Sequence, residues 1–377
     1  MPRTWLIIIS VAVAVLVGLL AWLGRVKQPG SDRIVVDVFD RDDIALEPER
    51  PREDIIALAT QQERELWWYT SAPEEHARQF LSVFESKYPA INARVNPGES
   101  RSTFQVVEQV REELEGELRA DVLHVLDVGV FLALEGDDQL LPYRSPEYAA
   151  LQPKYRDEKG GYWGCMRAVT ICMAYNERLL PPGQSPPRTW RDLWDPVWAD
   201  GKIALETASA GSQYAQYFFL RDLYGRYHWE TLARQGPKFY DSSREILEAL
   251  EQGDVLIAGE MMGYALEEWR REGHTNIVGV WPEDGVPLAL APVAILKRAK
   301  HPNAARLFVD FAMAKEGQEL WQRLLGAYSV REDVEPPPGR RALADMNVLS
   351  TDNWPEYVAK QRRLRSDFRA TFDRSFD

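Results

Sequence analysis

Leu66-Trp67-Trp68-Tyr69, followed at once by Thr70-Ser71-Ala72-Pro73-Glu74-Glu75, decides how this chain is read. Four apolar residues make a short buried strand, and two hydroxyl residues stop it. Pro and the acidic pair then open a helix, with Ser71 the expected N-cap. Phe80, Val83 and Phe84 recur at helical spacing and give that helix an apolar stripe. A second strand is expected at 91–95, a helix at 104–118 after a Gly- and Ser-containing loop, and a third strand at 121–126 ended by Asp127. Strands alternating with helices predict an α/β fold with a mostly parallel sheet.

The alternation continues downstream. Residues 162–176 form a long apolar, β-rich run, 189–193 a short helix, and 202–205 a strand that exits into Glu206-Thr207-Ala208-Ser209-Ala210-Gly211-Ser212. A helix is expected at 213–224, another at 244–252 behind Asp241-Ser242-Ser243, and a strand at 255–258. Gly263-Tyr264 stands at the next helix start, strands occupy 277–281 and 288–296, and helices fill 302–325. The Pro-led, charged stretch 336–377 reads as a surface appendage.

Bulk properties narrow the class. A chain of 377 residues exceeds one ordinary core and points to about two domains. A net charge of −13 argues against a nucleic-acid footprint, which needs a basic face. Five scattered His and two Cys offer no metal-ligand spacing, and no cofactor is implied. Cys165 and Cys172 on one extended strand would stand roughly 23 Å apart, against about 4.4–6.8 Å for a disulfide, so two packed thiols are expected.

Residues 5–24 are almost unbroken apolar, with Arg3 before and Arg25 and Lys27 after. Roughly 20 residues span the hydrocarbon core, so the segment reads as a transmembrane signal anchor, or else a signal peptide. Residues 25–63, rich in Asp, Glu, Arg and Pro, read as a polar linker.

In open α/β sheets ligands gather beyond the carboxyl ends of strands. Here those ends repeatedly carry hydroxyl and Gly residues that also begin helices, where free N–H groups and the helix dipole favour an anion. Each feature alone is ordinary capping; their recurrence raises the binding reading.

The order of these motifs resembles the extracellular solute-binding proteins of ABC importers, the ferric-binding-protein-like family. The resemblance rests on Trp67 to Glu75 with Tyr88-Pro89, Ala120-Asp121-Val122-Leu123, Tyr175-Asn176-Glu177-Arg178-Leu179, and Pro187-Arg188-Thr189-Trp190-Arg191-Asp192-Leu193. It continues through Gly201-Lys202-Ile203-Ala204, Trp281-Pro282-Glu283-Asp284-Gly285, Lys300-His301-Pro302-Asn303 and Lys315-Glu316-Gly317-Gln318, covering roughly 65–335. It implies a two-lobed periplasmic binding protein fold of type II, with discontinuous lobes joined by hinge strands: 65–165 with 287–335 as the N-lobe, 166–286 as the C-lobe. The lobes would close on a small-molecule solute by a hinge motion. The implied partners are an ABC permease and ATPase, since the chain has no P-loop. The implied location is the periplasm or cell exterior, tethered by the N-terminal helix if it is retained.

Iron-binding members use an adjacent Tyr-Tyr pair, whereas Gly259-Glu260-Met261-Met262-Gly263-Tyr264 offers a single Tyr. Bare ferric iron is therefore the alternative, and Tyr264 is either a wall of the site or core packing. Relatives that bind phosphonates or phosphorylated sugars use hydroxyl and backbone donors. The resemblance thus implies a phosphate- or phosphonate-bearing solute held by Thr70, Ser71, Ser100, Ser102, Thr103, Thr207, Ser209, Gly211 and Ser212. Arg101 is either a charged clamp or a solvated loop residue, and Asp127 either accepts ligand hydroxyls or caps the following helix. Catalysis is not indicated: Gly98-Glu99-Ser100-Arg101-Ser102 lacks the last Gly of a nucleophile elbow. A membrane-anchored receptor that reports its ligand to a signalling partner is a further alternative.

Overall fold

The computed structural model describes residues 50–96, 102–158, 160–207, 211–351 and 353–372. The apolar segment 5–24, most of the expected linker, and Ser100, Arg101 and Ser209 lie outside the described residues. Among the described residues no helix is long and apolar enough to cross a membrane.

The chain runs α1 (Arg52–Leu58), β1 (Glu65–Thr70), α2 (Glu74–Lys87), β2 (Asn92–Val95), α3 (Thr103–Glu115), β3 (Val122–His124), α4 (Val128–Gly136), β4 (Leu140–Leu141) and β5 (Gly164–Asn176). It continues with β6 (Ile203–Glu206), α5 (Gly211–Tyr224), α6 (Tyr227–Arg234), β7 (Lys238–Tyr240), α7 (Ser243–Gln252), β8 (Ile257–Met262), α8 (Gly263–Arg271) and β9 (Ile277–Val280). Last come β10 (Val286–Leu296), α9 (Pro302–Met313), α10 (Lys315–Leu325), β11 (Val348–Leu349) and α11 (Trp354–Phe372). The strands join in the order β2-β1-β3-β10-β5-β8-β6-β7, with β4 and β11 attached to β10 and β9 to β5. β1 is parallel to β2 and β3, and β6 is parallel to β7 and β8.

Two strands carry the architecture. β5 and β10 are buried along their whole lengths, which is why their sequences are continuously apolar rather than alternating. They pair antiparallel from Leu288 opposite Thr170 to Val293 opposite Gly164, with a register shift at Pro292, a residue that has no N–H to give the ladder. One end of the pair feeds a core in which Trp68, Phe80, Phe308 and Trp321 pack ring on ring; Trp68 and Phe308 centroids are 4.9 Å apart and Phe80 stacks on Trp321 at 4.8 Å. The other end feeds a second core, where Tyr217 meets Trp229 at 4.7 Å and Trp190 and Trp198 are fully buried. Cys165 and Cys172, both on β5, are free and buried.

Three local expectations change. Residues 52–63 are not a polar spacer: they are helical, with Ile55 and Ala59 buried against the first core. Arg52 pairs with Asp310 at 2.5 Å, and the Glu63 carboxylate accepts the N–H groups of Asn303 (2.9 Å) and Ala304 (2.8 Å), placing an anion at the N-terminus of α9. Ser71 does not cap α2; Pro73 holds that position without a side-chain bond. The segment after 336, expected as a surface appendage, is a packed strap. β11 pairs with β10 at Val286 and Pro287, and α11 buries Tyr357, Leu364 and Phe368 in the second core. Tyr357, Leu364 and Phe368 are buried while Lys360, Arg363 and Arg369 are exposed, so composition hid an amphipathic helix.

Truncating Phe368 to Ala should therefore cost about 3–5 kcal/mol in urea unfolding, as for a buried aromatic. A loss below roughly 0.5 kcal/mol, the range of surface changes, would return the segment to the role of an appendage.

Candidate functional site

The first expected group gathers at the exits of β1 and β3. The Thr70 N–H donates to Asn96 Oδ1 (2.9 Å), and its hydroxyl lies 2.8 Å from His124 Nδ1 while accepting the Ala72 N–H. Thr70 is 3% exposed, so this hydroxyl is engaged within the protein. Ser71 is half-buried, and its hydroxyl accepts from the Thr103 hydroxyl at 3.3 Å, which brings the start of α3 against the end of β1. Ser102 caps α3 through a reciprocal capping box with Gln105. Asp127 caps α4 by accepting the Gly129 N–H at 2.8 Å. The space between Asp127, Phe219, Leu288, Trp354 and Tyr357 is about 10 Å³, hardly a water's worth, so α11 fills the position beside that carboxylate.

The second expected group follows β6 and β8. The Thr207 N–H donates to the Tyr240 carbonyl (2.7 Å), Gly211 opens α5, and the Ser212 hydroxyl is fully buried with no hydrogen-bond partner. Tyr264, in the first turn of α8, packs against both cores. Burial pushes its phenol up to about 12, so it is a hydrogen-bonding phenol at neutral pH.

Four residues between these groups were not singled out from the sequence. His76 of α2 faces Glu268 of α8 with Nε2 and Oε1 3.3 Å apart, a contact that joins an element of the first core to one of the second. Desolvation works against charge on both: it lowers His76 and raises Glu268 to about 7. Arg167 of β5 is 3% exposed and lies over the Trp321 ring at 5.5 Å. Tyr264 and Glu268 favour its charge electrostatically, but burial lowers it to about 10. His124, fully buried, stacks on Trp68 at 5.6 Å and is held neutral by burial and by Arg167. A sequence signal existed for Arg167, the sole charge in the run Gly164–Asn176.

A buried acidic pair lies deeper in the second half. Glu206 ends β6 and accepts from Ser243 (3.1 Å), while Glu260 of β8 is 3% exposed with Oε1 unpartnered. Burial raises both: Glu206 to about 7, with repulsion from Glu245 and Asp241, and Glu260 well above the usual carboxylate range, with repulsion from Glu206. Among the described residues no three His, Cys, Asp or Glu side chains are grouped to hold a metal.

Residues 122–353 match the family described as bacterial extracellular solute-binding proteins. An uncharacterized protein of Haemophilus influenzae is 30% identical over 193 residues, 48% of this chain and 55% of that protein; the match thus spans about half the length of the curated relative. The structure of the periplasmic binding protein AfuA from Actinobacillus pleuropneumoniae, with exogenous fructose-6-phosphate bound, superposes with a TM-score of 0.73 at 22% identity, covering 82% of this chain and 99% of that one. Iron-bound HitA from Pseudomonas aeruginosa gives 0.70 at 22% identity over 81% and 99%. At these identities the two structures speak to the fold.

The buried titratable groups set a pH optimum for stability. Glu206 and Glu268, raised to about 7, and Glu260, raised well above the usual carboxylate range, have folded values above their unfolded ones, so the stability they allow at low pH is lost as pH rises through those folded values. His76, His124 and His228 are shifted down by burial, so stability is lost as pH falls below their unfolded value of about 6.5. Thermal unfolding should peak near about pH 6 and decline on both sides, and Glu260→Gln should flatten the alkaline decline. A midpoint that climbs steadily to pH 8 would contradict this balance.

Proposed function

The chain belongs to the bacterial extracellular solute-binding proteins, and from that membership we propose that it captures a small anionic solute, phosphate- or phosphonate-bearing, between two lobes and presents it to an ABC permease and its ATPase. Membership makes it a binding protein and not an enzyme, with its body outside the cytoplasm. The lobes proposed are 65–165 with 287–335, and 166–286, hinged on β5 and β10. Retention of segment 5–24 as a membrane anchor belongs to the same proposal.

The observation that carries the reading is the contact between His76 and Glu268, 3.3 Å apart, beside Tyr264 and the buried Arg167. It ties an element of one core to an element of the other around a fixed positive charge. Burial disfavours the charged form of both partners, which makes the pair a weak latch and suits a cleft that must open to admit a solute. At the start of α5 the Ser212 hydroxyl, buried and unpartnered, offers a further donor.

Ferric iron is the second reading, because a phenol, an imidazole and a carboxylate lie together in Tyr264, His76 and Glu268, and HitA is iron-bound. Arg167 opposes it, since a buried guanidinium repels a trivalent cation.

Thermal unfolding of the full chain in detergent, against phosphorylated sugars, phosphonates, carboxylates and Fe3+, separates the two. A bound ligand at about 100 times its dissociation constant adds roughly 2.7 kcal/mol, a rise of several degrees. A rise with phosphate-bearing compounds supports anion capture. A rise with Fe3+ alone, with a phenolate-to-iron absorption band, replaces it with iron binding.

A further inference from the structure

Arg167 is the only charged residue in the 13-residue strand β5, whose every position is buried. A buried cation costs several kcal/mol unless a carboxylate or a set of acceptors surrounds it. Here Nε and Nη1 are buried without a hydrogen-bond partner, and the nearest acid acting on it, Glu268, faces His76 instead. The guanidinium rests on the Trp321 ring at 5.5 Å, and the His124 ring centroid is 5.9 Å from the same indole.

His124 adds a second ring nitrogen to the set. Its Nδ1 lies 2.8 Å from Thr70 Oγ1, which also accepts the Ala72 N–H. When the Thr70 hydroxyl donates to Nδ1, the ring proton sits on Nε2, which is buried and without a partner. Trp321 Nε1 is buried and unpartnered as well. Arg167 and His124, both against the Trp321 ring, and Trp321 itself thus each hold a buried nitrogen without a hydrogen-bond partner.

An acceptor-only group with negative charge satisfies such a set: a carboxylate or a phosphate takes the guanidinium fork side by side and further N–H groups on its remaining lone pairs. A cation is repelled, and a neutral hydroxyl leaves the buried charge uncompensated. We infer that Arg167, with His124 beside it on the Trp321 ring, is the receptor for the anionic group of the captured solute. This inference rests on the solute-capture reading above and assigns the recognition of charge to the hinge strand rather than to the hydroxyl groups at the helix starts.

The test uses the full chain in detergent and isothermal titration with four probes: inorganic phosphate, fructose 6-phosphate, methylphosphonate and succinate. The variants are Arg167→Met, which keeps length and the contact with Trp321, and Arg167→Lys, which keeps charge without the fork. We expect wild type to bind at least one probe, Arg167→Met to weaken it at least 100-fold, and Arg167→Lys to weaken it about tenfold. The unliganded midpoint of Arg167→Met should be equal to or above wild type, because it removes a buried charge whose Nε and Nη1 lack hydrogen-bond partners. Which probe binds tells phosphate from carboxylate. Equal affinity of wild type and Arg167→Met overturns the inference and leaves solute capture standing. A midpoint several degrees lower in Arg167→Met makes the residue structural and also overturns it. No binding of any anion by wild type overturns both.

Discussion

The antiparallel pairing of β5 with β10 is the constraint on which the rest depends. Both strands are buried throughout, and each contributes to two separate packed cores. The strand order follows: β3 and β1 continue the sheet from β10, and β8 and β6 continue it from β5. A pair buried on both faces cannot shift register without moving apolar side chains in two cores at once, so the pair is stiff along its length. Motion of one core against the other is left to its ends and to irregular points, of which the register shift at Pro292 and that between Cys172 and Ala174 are two.

The C-terminal strap adds a second set of ties across the same region. Arg340 donates to the Gly263 carbonyl at 2.6 Å, lies 3.1 Å from Glu267 and covers the Trp281 ring at 5.2 Å, while Tyr328 donates to the Arg341 carbonyl at 3.1 Å. Trp281 in turn donates to the Thr170 hydroxyl of β5 at 2.9 Å. Farther on, Trp354 packs against both cores and α11 buries aromatic residues beside α5. An aromatic contact of this kind stabilises far more than the exposed ion pairs scattered over the surface. The tail is therefore packed onto the body rather than appended to it.

Much of this was legible in the sequence because the signals were local. The Leu66 to Tyr69 strand, the helix after Asp241-Ser242-Ser243 and the start of α8 at Gly263 each follow from a few adjacent residues, and Ser242 does cap its helix. What stayed hidden depends on distant partners. Charged residues 52–54 read as a spacer, yet Pro51 and the acidic first turn begin a helix because Asp310, 258 residues away, receives Arg52. Strand β8 runs through Gly259 and Glu260 to Met262, where the sequence stopped at Ala258, because β5 supplies a lateral partner for the backbone. Of the hydroxyl residues, Ser102 caps α3, Ser71 accepts from Thr103, and Thr70 bonds His124 and the Ala72 N–H, so these side chains are engaged within the protein.

The groups that capping does not explain are of another kind: Arg167, His124, Glu260 and Ser212, each buried and each with an unpartnered polar atom. A fold selected for stability alone would replace them, since a buried donor or charge without a partner costs more than an apolar group of the same shape. Three of them lie on strands and Ser212 in the first turn of a helix, positions whose backbone is fixed by the sheet and its packing. Polar atoms held rigidly and unsatisfied are pre-organised, so little ordering remains to be done when an acceptor arrives. The stability given up at these sites is small against the two aromatic cores that surround them. That difference in scale allows the fold to keep unpartnered polar atoms in its interior.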